Sequence, residues 1–104
     1  MTRNQSILVT CCVVALSLIG VTACETAPPV QEMSDARQAI AVAREAGAAD
    51  LAAEELAAAE QYLHSAEQKL EDHDYREARS DALEAKVKAL NALKLSESAE
   101  EPGQ

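Results

Sequence analysis

From Leu56 to Leu70, and again from Tyr75 to Ala92, an apolar residue returns every three or four positions, with no glycine or proline to interrupt either series. Leu56, Ala59, Leu63, Ala66 and Leu70 form one such series; Tyr75, Ala78, Ala82, Ala85, Ala89 and Ala92 form the next. That alternation keeps one stripe of a helix turned toward a neighbouring helix, whereas a strand would need period two. The chain is therefore expected to be all-α. It holds no Phe or Trp, only Tyr62 and Tyr75, and Ala, Leu, Glu, Lys and Arg predominate, the composition of helices and coiled coils. Alanine buries little apolar surface per residue, so one small domain is the upper limit.

Local signals divide the helical part. Ser34 is a good N-cap and Asp35 complements the positive end of a helix dipole. Ala36, Ile40 and Ala43 share a face, and Ala46-Gly47 reads as a stop. A second start is expected at Asp50, with Glu54 and Glu55 in its first turns. A break is expected at Asp72-His73-Asp74, where Asp74 and Glu77 resemble a capping box. Leu83, Val87 and Leu90 are expected to widen the alanine stripe of the last helix into a full core-facing side. The short break implies an antiparallel hairpin, and the first helix packs across or extends it. The expected fold is thus a small two- to three-helix antiparallel bundle over residues 34–95. A continuous helix from 50 to 95 is the alternative, since Asp-His-Asp holds neither Gly nor Pro. Residues 96–104 are polar, acidic and end near Pro-Gly, and are expected to be a disordered acidic tail.

The N-terminus reads as an address. Arg3 and the amino terminus precede an apolar run from Ile7 to Ala23, the charged and hydrophobic regions of a secretory signal peptide. The run sits at the short end of the ~17–25 residues a membrane-spanning helix needs. Val21-Thr22-Ala23-Cys24 resembles the bacterial lipobox, an aliphatic residue and two small ones before cysteine. That resemblance implies recognition of Val21, Thr22 and Ala23 by lipoprotein signal peptidase, removal of residues 1–23 and lipidation of Cys24. Two or three acyl chains, at ~0.8 kcal/mol per buried methylene, make such attachment effectively permanent. Cys11 and Cys12 leave with the signal segment and Cys24 is acylated, so no free thiol remains for disulfides, metal or catalysis. Residues 24–33, with Pro28-Pro29, are expected to form an extended tether. Glu25 follows the cysteine; the absence of aspartate there favours the periplasmic face of the outer membrane, by a rule carried over from proteobacterial lipoproteins.

Charge narrows the function classes. The chain is formally −9. Removing residues 1–23 removes only Arg3, which leaves eight basic against eighteen acidic side chains, a net −10. Such a balance repels phosphate backbones and anionic lipid, so nucleic acid is not an expected partner and membrane contact is assigned to the anchor. His64 and His73 are the only histidines. His73 sits between Asp72 and Asp74, but adjacent turn residues diverge, and zinc or a transition metal wants three or four converging ligands. Glu54-Glu55, Glu71-Asp72-Asp74 and Glu97…Glu100-Glu101 lack calcium-loop spacing, and raised carboxylate pKa values need an apolar pocket that an aromatic-poor hairpin does not offer. No enzyme, cofactor, metal site or small-molecule substrate is expected.

Ala39, Ala43, Gly47-Ala48, Glu55-Leu56, Ala59, Leu63, Ala66, Leu70, then Asp74-Tyr75-Arg76-Glu77-Ala78, Ala82, Ala85 and Ala89 resemble the family called domain of unknown function 4398, over about residues 33–95. The resemblance implies a short, alanine-rich helical lipoprotein of Gram-negative bacteria and supplies no catalytic residues. Some members of that family carry a peptidoglycan-binding domain similar to outer membrane protein A, which this chain does not reach. Residues 74–85 also resemble the middle of a tetratricopeptide repeat, though only about half of one repeat, and a stacked array needs about three. The expected function is a structural or adaptor module of the cell envelope, acting through its helical surface by self-association or on a helical envelope partner. The alternative is a non-covalent spacer between outer membrane and peptidoglycan, since the Glu-Glu-Pro-Gly-Gln end lacks a terminal lysine for covalent attachment.

Overall fold

The computed structural model describes residues 27–100. The expected signal segment, Val21, Thr22, Ala23, Cys24 and residues 101–104 lie outside the described residues. What is described is helical: α1 (Val30–Glu45), α2 (Ala48–Leu51), α3 (Ala53–Glu71) and α4 (Tyr75–Glu100), with no strand among the described residues.

The first helix begins earlier than Ser34. Pro29 occupies the N-cap position, and the Met33 N–H donates to its carbonyl at 3.1 Å. Proline suits a helix start because it has no N–H to leave unpaired there. Ser34 is an exposed residue inside α1, and the expected tether is shortened because Val30 to Met33 are helical. Met33 thereby joins Ala36, Ile40 and Ala43 as a buried series at three-four spacing.

α1 ends where Ala46-Gly47 predicted. Gly47 is left-handed with φ 87°, and its N–H donates to the Arg44 carbonyl at 2.9 Å. Beyond it the single start expected at Asp50 is split. α2 is one turn, Ala52 breaks it with φ −148°, and α3 starts at Ala53.

The chain reverses at Asp72-His73-Asp74, and the continuous-helix alternative does not hold. His73 N–H donates to the Leu70 carbonyl at 3.1 Å and Asp74 N–H to the Lys69 carbonyl at 2.8 Å, the pair of bonds that closes a Schellman motif. The left-handed position between them is His73, φ 61°, a residue type that visits this region more readily than most but still at a cost. The expected Asp74–Glu77 capping box is absent from the described hydrogen bonds. Glu77 instead lies 3.9 Å from the Lys69 ammonium.

α4 continues through Ser96 to Glu100, which corrects the expected tail for residues 96–100. Ser96 is fully buried and its hydroxyl donates to the Ala92 carbonyl at 2.8 Å. The three-four spacing of Ala89 and Ala92 simply carries on to it.

Ion pairs give the relative directions of the long helices. Along α3 and α4, Glu55 meets Lys88 while Lys69 meets Asp81, so the two run oppositely. Arg37–Glu67 and Arg44–Glu60 set α1 against α3 in the same reversed sense. Glu32–Arg79 and Asp35–Lys86 run in step, so α1 and α4 point the same way. α4 packs against both other long helices. The core divides into a larger cluster around Ile40, Ala43, Leu56, Ala59, Ala89 and Ala92 and a smaller one of Met33, Ala66 and Ala82, with Leu63 packed against both.

Candidate interaction surface

Each long helix contributes a seam at alternating spacings of four and three. The seam of α4 consists of Ala78, Ala82, Ala85, Ala89 and Ala92, every one fully buried, ending in Ser96. Facing α3 supplies Leu56, Ala59 and Ala66 as buried residues, with Leu63 and Leu70 half-buried. A methyl side chain is what permits α4 to approach two helices at once, because interaxial distance, ~8–10 Å, depends on side-chain size at the contact. Tyr75 is half-buried at the head of α4, its ring 5.9 Å from that of His73. The helix-interface residues expected from spacing are therefore gathered along the packed faces.

The larger apolar residues of α4 are elsewhere. Leu83, Val87 and Leu90 are 47%, 50% and 46% exposed, which overturns the expectation that they widen the core-facing side. They form their own series at spacings of four and three on the outer surface. Across the α1–α4 groove from Leu90 lie Ala39 and Val42, the latter 39% exposed, with Asp35, Gln38, Lys86 and Leu93 completing the lining. This apolar stripe lies beside an alanine seam that is already fully buried.

A polar cluster pins the α3–α4 register. Asp81, mostly buried, accepts hydrogen bonds from the Ser65 hydroxyl and the Lys69 ammonium, both 2.6 Å. Burial alone would raise the Asp81 pKa, but the bonds from Lys69 and Ser65 outweigh it and hold the carboxyl below its ordinary value. The bond to Asp81 raises the Lys69 pKa. Farther along, the Lys88 ammonium stands 3.7 Å from a buried, otherwise unpaired Glu55 oxygen. These pairs are 12, 16 and 33 residues apart, and sequence spacing carries no signal for them.

At the opposite edge of α4, Arg79 donates to the Glu32 carboxylate and to the Ala27 carbonyl, both 3.1 Å. Beside this clamp Pro29 is fully buried. The segment entering α1 is thus fastened to α4. His64 and the exposed carboxylates of α3 do not gather into a site: among the described residues no three His, Cys, Asp or Glu side chains converge as metal ligands would. No described helix is long and apolar enough to cross a membrane.

Residues 31–102 match the family model described as domain of unknown function (DUF4398). The chain belongs to that family. The matched stretch takes in nearly all of α1 and every helix after it, and so covers this chain's alanine seam and outer stripe. No curated protein and no solved structure matches the chain.

Proposed function

We propose that this protein is an exported lipoprotein, acylated on Cys24 after cleavage behind Ala23, whose helical domain is an adaptor in the cell envelope. The observation that carries the adaptor reading is the Leu83–Val87–Leu90 stripe. Three large aliphatic residues at helical spacing stay half-exposed on a helix whose core-facing positions are already filled by alanine. Apolar side chains so arranged are the anchors of helix-in-groove recognition. The stripe is flanked on α4 by Glu84, Lys86, Lys88 and Lys94, so an apolar helix face of mixed charge, supplied by another envelope protein, suits it.

The order of the ion pairs supports an antiparallel three-helix bundle in which α3 runs against α1 and α4. The tetratricopeptide likeness of residues 74–85 is supported by Tyr75 at the turn and by the buried Ala78, Ala82 and Ala85. The lipobox supports the anchor, and the absence of aspartate after Cys24 supports the periplasmic face of the outer membrane.

Photo-crosslinking from position 87 in cells tests the adaptor role. One reproducible heterologous partner is expected, lost on combined Leu83→Gln and Leu90→Gln. Crosslinks only to a second copy, or none above an exposed control at Ala57, would defeat it. Incorporation of a palmitate analogue, abolished in Cys24→Ala, tests the anchor separately.

A further inference from the structure

We infer that the domain meets the bilayer end-on, with the α3–α4 turn at the lipid surface and the C-terminal end of α4 pointing away from it. The inference rests on the lipoprotein reading and adds a geometry to it. Three observations carry it. Arg79 holds the Ala27 carbonyl at 3.1 Å and Glu32 at 3.1 Å, and Pro29 is fully buried beside them. Helical packing thus takes hold of the chain three residues after Cys24. From Cys24 to Ala27 the backbone reaches at most about 10 Å, at roughly 3.5 Å per residue. An acylated Cys24 therefore cannot let this end of the domain drift from the headgroups.

The ion pairs then decide what stands at that end. α1 and α4 both start there, because Glu32 meets Arg79, and α3 finishes there, because Lys69 meets Asp81 and Glu77. The near end comprises Val30, the exposed turn Glu71-Asp72-His73-Asp74 and the first turn of α4. Val30 is 68% exposed, the most exposed large aliphatic side chain among the described residues, and it sits where the lipid would be. The far end comprises Gly47 to Ala52 and the last turn of α4, where Glu100 approaches Gly47. Asp72 and Ser98 are separated by most of the length of α4, about 35 Å at 1.5 Å per residue.

The near end itself carries Glu71, Asp72 and Asp74, so charge does not draw it to anionic headgroups; the short reach from Cys24 holds it there, and the length of α4 sets the far end apart. The outer stripe of α4 then runs along the membrane normal, open to a neighbour standing on the same leaflet.

Single thiols test this, since acylated Cys24 leaves the mature chain without another. The lipoprotein purified from membranes, carrying Asp72→Cys or Ser98→Cys with a fluorescent donor, is reconstituted in phosphatidylethanolamine–phosphatidylglycerol vesicles containing headgroup-labelled acceptor. Energy transfer severalfold stronger from position 72 than from 98 is expected. A flexible glycine–serine insertion between Thr26 and Ala27 should erase most of that difference without loss of helicity or of vesicle binding. Equal or reversed transfer, or an insertion without effect, overturns the end-on geometry while leaving the anchor intact. Failure of the protein to float with the vesicles overturns the anchor and the orientation together.

Discussion

The two faces of α4 carry the same kind of residue in opposite places. One face is five alanines and Ser96, fully buried; the other holds Leu83, Val87 and Leu90, half in water. Hydrophobicity by itself would have assigned them the other way round, since burying a leucine is worth about 1.5–3 kcal/mol and alanine's single methyl far less. Size reverses the order. α4 is pressed by two helices at once, and only alanine lets both backbones come near, so close packing along its length wins over burial of a few bulky groups.

The sharpest way to break this contrast is to exchange the faces. Ala85→Leu places three extra carbons into a position with no exposed surface and should cost about 3 kcal/mol, at the upper part of the range for overpacked cores. In a domain of this size that lowers the melting temperature by roughly 10–20 °C, read by circular dichroism. A melt unchanged within a few degrees would show the seam to be loosely packed.

Next in size is the polar cluster lying between the faces. Asp81→Ala removes the acceptor of both Ser65 and Lys69 and should cost about 1–2 kcal/mol. The pH profile gives a second reading. Asp81 is held below its ordinary pKa, so its contribution is present above the unfolded carboxylate value and fades as pH falls below about 4. Lys69, raised by the same bond, contributes below its unfolded value and loses that contribution only as pH rises through the raised one. Acid unfolding monitored by helicity should thus be less steep in Asp81→Ala than in the natural chain.

A smaller effect is expected at Ser96→Ala, which would complete the seam as alanine. The hydroxyl donates to the Ala92 carbonyl one turn back, a bond that slightly disfavours straight helix. Stability should rise by about 0.5 kcal/mol, in keeping with alanine's helix propensity. A clear loss would mean that this hydroxyl organises the end of α4.

The outer face should show the smallest change. Leu83→Gln, Val87→Gln and Leu90→Gln should each leave stability within about 0.5 kcal/mol, as at ordinary surface positions, while lowering any crosslinking from position 87. Destabilisation beyond that would place the stripe in the core after all.

The extent of legibility follows from this contrast. The period of Leu56 to Leu70 and of Ala78 to Ala92 exposed the helices and their seams, because packing at three-four spacing is written locally. Gly47 and the Asp-His-Asp turn were legible for the same reason. Ser96 and Met33 obeyed the same spacing but were masked by neighbours that read as tail and tether. Which of two candidate stripes on α4 would be buried depended on α1 arriving against α4 as well as α3, a fact of three dimensions. The Asp81 cluster and the Arg79 clamp join residues 12 to 52 positions apart, and charged residues in helices are everywhere in this chain.

The alanine seam also sets how the domain answers heat and denaturant. Heat-capacity change and denaturant slope both scale with the surface exposed on unfolding, the former with its apolar part above all. A core of methyl groups exposes little of it per residue, so both quantities should be low for the chain's length. The stability curve is correspondingly flat: such a domain gains little on cooling, loses little on moderate warming, and melts over a broad span of temperature.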